Sequence, residues 1–320
     1  MIRTVTKNKV KPDTILKNFW KDNARFADLF NAILFNWENV IKPEELEEAD
    51  TDLSTVLKFN SHADTLQKVL DVVKKSAHGV DFVILGLENQ QKVHYGMPLR
   101  VMLGDALGYL KEYQEISGNN KKEGKWKNLE EFLSGFCKED RLHPMVTICI
   151  YYGENIWDGP MSLKAMLNIP ENLCSVVNDY RMNFIQVWNS EQFNFKNPDV
   201  CTVFEVSRNI FKREYNKITD VYKNQEIDSE IGLVIGAITE SQELINQALE
   251  QQGGKMNMCK ALEELKLEGV AEGMEKGIEK GKIVARYEDG MTSEEIAHKM
   301  GLTVKQVEQV LEECKMLATV

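Results

Sequence analysis

Glu88 and Gln90 stand two residues apart at the end of an apolar run, "VILGLENQQ" (83–91). Side chains alternate along a strand. Phe82, Ile84, Gly86, Glu88 and Gln90 therefore share one face, and Val83, Leu85, Leu87 and Asn89 the other. A carboxylate at the inner end of a core strand is costly unless something pairs with it. A divalent cation is one such partner: the carboxylate ligates it, and the amide two residues on orients a water or a phosphate. Magnesium takes hard oxygen ligands and keeps several waters, so one or two further acids complete a site of this kind. Asp64, in "NSHADTLQKV", is the upstream candidate. The pattern also fits a strand that surfaces at Glu88 with no ligand at all, and spacing leaves both readings open.

Other polar groups lie near this pair in the chain. Arg100, near the start of the next helix, is placed to contact a phosphate or to pair with Asp105. His94 is a loop histidine with no second ligand at metal spacing, and His62, His78, His143 and His298 form no pattern. Tyr151 and Tyr152 close a strand and Trp157 lies in the loop it enters; they suit a core, or a platform for unpaired bases.

The elements that must position these residues are legible in outline. Pro12 opens one or two helices in which Phe26, Leu29, Phe30, Ile33, Leu34 and Trp37 recur at helical spacing. Residues 54–79 read as short strand-like pieces before a helix ending at Gly79. Strands are expected at 81–90, 145–153 and 182–188, a helix at 97–116 with Pro98 in its first turn, and a polar loop at 118–128. Most of 197–250 is helical in character. Strands interleaved with helices give an α/β fold. Beyond Gly253-Gly254, Gly269, Gly273, Gly277 and Gly281 fall four apart. Each costs a helix interior about 1 kcal/mol, so this segment is a weak helix: a charged spacer, or a stripe for close helix approach. Thr292 with Glu295, and Thr303 with Gln306, form two capping boxes around Met300-Gly301-Leu302, a helix-turn-helix pattern. Lys305 faces Glu308, Glu312 and Glu313 in the second of these helices, a balance that repels phosphate.

The 320 residues carry a net charge of -11, which argues against a generally basic nucleic-acid surface. Residues 1–25 are the exception, with seven cations against two acids. The six cysteines form no C-x-x-C pair, so reduced thiols are expected rather than a zinc knuckle or a disulfide framework. No membrane-spanning run and no secretory signal are evident, and a cytoplasmic location is expected.

Four blocks in order, "RFADLFNAILF", "HADTLQKV", "VILGLENQQKVHYGMPLRVMLGDALGY" and "LHPMVTICIYYGENIWDGPMSLKAML", together resemble the recombination-promoting nuclease/putative transposase family. The similarity runs over about residues 18–215, and the glycine repeat and helical tail also resemble that family's C-terminal region. The resemblance implies a PD-(D/E)XK-type nuclease domain over 1–235: a restriction-endonuclease-like core of mixed central sheet flanked by helices. A helical, glycine-repeat spacer (236–285) and a small helix-turn-helix-like module (286–320) follow.

The resemblance further implies Mg2+-dependent (or Mn2+-dependent) cleavage of DNA, with Asp64, Glu88 and Gln90 as the site and Asp64 and Glu88 as metal ligands. Gln90 stands where many such nucleases have lysine. Asp28, in "FADLF", matches a helix acid that such folds often add. An arginine that relatives often carry just upstream of Asp64 is missing, since Ser61, His62 and Ala63 stand there. The alternative is a catalytically weak or inactive protein that retains the fold and binds DNA or oligomerises, with the C-terminal helices as the candidate homo-oligomer contact.

Overall fold

The structure, a computed structural model, describes residues 11–36, 38–48, 55–59, 62–66, 72–76, 81–87, 93–223, 225–251 and 253–314. It divides into two compact units, Met1–Met258 and Cys259–Val320. The boundaries drawn from the sequence at 235/236 and 285/286 both fall inside helices, Ser229–Ile238 and Met258–Glu288.

The first unit opens with α1 (Pro12–Lys21) and α2 (Asn23–Leu34), joined at Asp22. Proline suits the first turn of α1, where an amide hydrogen would lack a partner. Asp22 caps α2, its carboxylate accepting from the Arg25 N–H at 2.9 Å. Ile15, Leu16, Phe19 and Trp20 make the buried stripe of α1, and Phe26, Leu29 and Phe30 that of α2. Phe26 and Phe30, one turn apart, stack at 4.7 Å.

The chain then forms β1 (Leu46–Glu48), β2 (Thr55–Phe59), β3 (His62–Leu66), β4 (Val72–Ser76) and β5 (Asp81–Leu87). Next come α3 (Met97–Glu123), α4 (Leu129–Ser134), β6 (Met145–Tyr151) and β7 (Asn183–Gln186). Five of these strands make one sheet in the order β1-β4-β5-β6-β7, while β2 and β3 pair with each other in a separate hairpin. Pairing is antiparallel for β1/β4 and β4/β5, and parallel for β5/β6 and β6/β7. Hence β4 alone runs against the other four strands. α3 supplies the crossover that a parallel connection needs.

Helices cover both faces of this mixed α/β sheet. Cys149 and Tyr151 of β6 pack with Met97 and Val101 of α3. Tyr152, of opposite parity, instead accepts a hydrogen bond from the Trp20 indole of α1 at 2.7 Å. β6 is accordingly buried continuously from Thr147 to Tyr151, as expected of a strand covered twice.

Two expectations are corrected here. Residues 72–76, expected in a helix ending at Gly79, form strand β4, because Val72 and Val73 are β-branched and buried and the segment ladders onto β5. Lys74 of this strand is fully buried, its ammonium donating to the Lys21 carbonyl at 2.5 Å and to Asn23 Oδ1. The polar stretch expected as a loop from 118 continues α3 to Glu123. Gly124, at φ 61°, ends the helix in the left-handed conformation, and buried Asn120 donates to Gly135 O and Asp140 Oδ2.

The unit is completed by α5 (Pro198–Phe211), α6 (Tyr215–Tyr222), β8 (Glu226–Asp228), α7 (Ser229–Ile238), α8 (Gln242–Glu250) and β9 (Lys255–Asn257), with β8 paired to β9.

The second unit contains α9 (Met258–Glu288), which begins at the boundary, then α10 (Ser293–Met300) and α11 (Val304–Glu313). Both capping boxes are formed, and Gly301, at φ 70°, ends α10. Ile283, Ile296, Ala297, Val307 and Leu311 make its core. The glycine repeat lies within α9, and a Cβ added at Gly277 or Gly281 would meet nothing within 4 Å. No helix among the described residues is long and apolar enough to cross a membrane.

Candidate functional site

The residues singled out by sequence fall on three kinds of ground. Glu88 and Gln90 lie outside the described residues; what is fixed is that β5 ends at Leu87, the residue before Glu88. Asp64 sits on β3, opposite Leu57 of β2, on the hairpin and not in the five-stranded sheet. Asp28 and Arg100 are both described.

Leu87, Tyr151 and Gln186 are register partners across β5, β6 and β7, so three parallel strands end together along one edge. Glu88 follows directly on this edge in the chain. Residues 93–96 lead into α3, and among the described residues His94 Nδ1 is buried with no partner. Arg100 is exposed in the first turn of α3. Five residues further along, Asp105 is buried and accepts from Thr147 Oγ1 at 2.5 Å and from the Tyr180 hydroxyl. Burial, then the Asp105 carboxylate, push the Tyr180 phenol well above its ordinary pKa.

Val72, the first residue of β4, pairs with Ile84, the middle residue of β5, so the antiparallel chain joins the sheet halfway along β5. The residue preceding Val72 is Asp71. Sequence reading passed it over because 72–79 looked helical; strand β4 is the signal that brings it forward.

Asp28 lies on α2 against the segment leading to α5. One carboxylate oxygen accepts from the Lys196 N–H at 2.9 Å, and the other is buried without a partner among the described residues. Burial raises its pKa and outweighs the Lys196 and Asn197 N–H groups, which pull the other way. It lines a cavity of about 350 Å3 with Asn31, Asn39, Asn194, Lys196 and Asn197. Among the described residues no second carboxylate lines that cavity. The basic arm is partly spent internally: Lys17 pairs with Asp13 at 2.9 Å, and Arg25 with Asp199 at 2.8 Å and Glu230 at 2.9 Å.

No protein-family model, curated protein or solved structure matches this chain. Among the described residues, no group of three or more His, Cys, Asp or Glu side chains is arranged to hold a metal ion.

Proposed function

We propose that this chain is a divalent-metal-dependent DNA endonuclease of recombination-promoting, transposase-like type, built on a restriction-endonuclease-like core. The observation that carries the reading is the position of Glu88-x-Gln90 directly after β5. That strand joins an antiparallel neighbour, β4, to the parallel set β6 and β7. Ligands of open α/β sheets gather at the carboxyl ends of parallel strands. A mixed sheet with helices on both faces is also what such a core requires.

Carboxylates and an amide oxygen are hard donors, the set that suits Mg2+ or Mn2+. Glu88 would hold the ion together with Asp64 or, given where the chain enters β4, Asp71. When bound, the ion would stabilise charge on the scissile phosphate and make a coordinated water more acidic. Gln90 orients the attacking water by hydrogen bonding and contributes no positive charge, which fits a modest rate. Arg100 is the cation available to a phosphate near the same helix start. Such a chain would work in the cytoplasm, where its DNA substrate is at hand.

A second reading is a weakly active or inactive DNA-binding protein that oligomerises through its C-terminal helices. The observation favouring it is that Asp64 stands on the β2/β3 hairpin, apart from the sheet that carries β5. Calorimetric titration of Mn2+ separates the two. Uptake is expected for wild type, lost in Glu88→Gln, and lost in one of Asp64→Asn and Asp71→Asn. Absent uptake, or uptake indifferent to Glu88→Gln, removes the nuclease reading.

A further inference from the structure

A second cavity, of about 430 Å3, lies beside the ends of β6 and β7. That size is within the roughly 300–1,000 Å3 of small-ligand sites. Trp157 and Phe184 form its apolar wall, and Gln186, Asn189 and Gln192 bring amides. The rings are held firmly. Trp157 and Phe184 centroids lie 5.0 Å apart, and the indole meets Tyr151 edge-on at 5.3 Å. The Trp157 indole N–H donates to Gly159 O at 2.9 Å, and its backbone N–H donates to Gln186 Oε1 at 2.9 Å. Gly159 is required for this arrangement: a Cβ there would lie 2.8 Å from both Trp157 Cζ2 and Val93 Cγ1.

The polar groups give the cavity a hydrogen-bonding pattern. Because Trp157 N–H must meet an oxygen, the Gln186 amide orientation is fixed, and its nitrogen is that side chain's donor. Asn189, which lines the cavity, carries an acceptor, Oδ1, that is buried and among the described residues has no partner. Such an atom costs free energy unless a donor arrives. Asn189 also breaks the 3-10 turn around it, at φ -121° and ψ 30°. Among the described residues that line the cavity the charged one is Asp158, an acid whose carboxylate accepts from the Tyr95 hydroxyl at 3.3 Å. A phosphate is therefore disfavoured there, and a flat, neutral group with an N–H donor beside an acceptor is favoured.

We infer that this cavity binds a single unpaired nucleobase of DNA, with an amino-bearing base such as adenine facing Asn189 and stacking against Phe184 and Trp157. A base inside a duplex cannot reach such a wall, so the substrate presents it unstacked. The inference rests on the nuclease reading for its setting: Gln186 is in register with Leu87, and Glu88 is the next residue. It would make the substrate a duplex with a bulged or displaced base.

The test is fluorescence anisotropy in EDTA, where cleavage plays no part, with labelled duplexes that differ only in one bulged nucleotide, adenine or abasic. Wild type should prefer the adenine bulge by roughly tenfold, in the range of base–aromatic stacking. Phe184→Leu and Asn189→Leu should each remove most of that preference while keeping the affinity for the abasic duplex. Equal binding of the two bulges, a preference surviving both substitutions, or no binding of either duplex would overturn the inference. A chain that takes up metal without the preference loses only the cavity assignment. One that prefers the adenine bulge but never takes up metal loses only the nuclease.

Discussion

The two units solve the same packing problem with contacts of opposite range. In the first, Trp20 bonds to Tyr152 across 132 positions of sequence, Arg25 to Glu230 across 205, and buried Lys74 to Asn23 across 51. In the second, both capping boxes close between residues three apart, and among the described residues one core cluster runs from Ile283 to Leu311. The first is thus ordered by side chains that meet only once the whole sheet is assembled. Each helix end of the second is specified where it stands.

That contrast can be broken by substitution. Phe26 is fully buried, stacks on Phe30, and lies 5.6 Å beneath the Lys74 ammonium. Phe26→Ala should cost about 3–5 kcal/mol, measured by urea denaturation of the full chain. Thr303→Ala removes one cap and should cost about 1 kcal/mol, with helicity loss confined to the tail. If the two changes had similar effects, the division between long-range and local order would be wrong.

Asp28 sharpens the comparison at a smaller scale, because its buried carboxyl meets a backbone N–H from position 196. Its folded pKa is raised, so the folded state holds that proton more readily than the unfolded one. Stability from this group is present at acidic pH and is lost as pH rises from the ordinary carboxylate range through the raised value. Thermal melts of wild type and Asp28→Asn should therefore diverge over that window, with only wild type gaining stability on acidification from Asp28. Parallel pH profiles would show that the carboxyl is not buried as described.

Legibility in the sequence follows the same division. Thr292, Glu295, Thr303 and Gln306 spell out both helix starts, because a capping box is a pattern of neighbours. β5, β6 and β7 were also legible, being short runs of β-branched and aromatic residues. β4 was not: its Lys74 and Lys75 look solvent-facing, and only the Lys21 carbonyl and Asn23 side chain show why Lys74 can be buried. The extension of α3 to Glu123 depends on Asn120 reaching 135–140, again a distant partner. For the site, Glu88-x-Gln90 and Asp64 were legible as motif residues, but their placement was not: that Asp64 falls on the β2/β3 hairpin while β4 lies beside β5 depends on strand pairing, which a local pattern does not carry.

The most direct test of the account is nicking of supercoiled plasmid by the full chain with Mg2+ or Mn2+, wild type against Glu88→Ala. The account predicts metal-dependent nicking by wild type that is abolished by EDTA and lost in Glu88→Ala. Equal nicking by both proteins, or none by wild type with either ion, would contradict it.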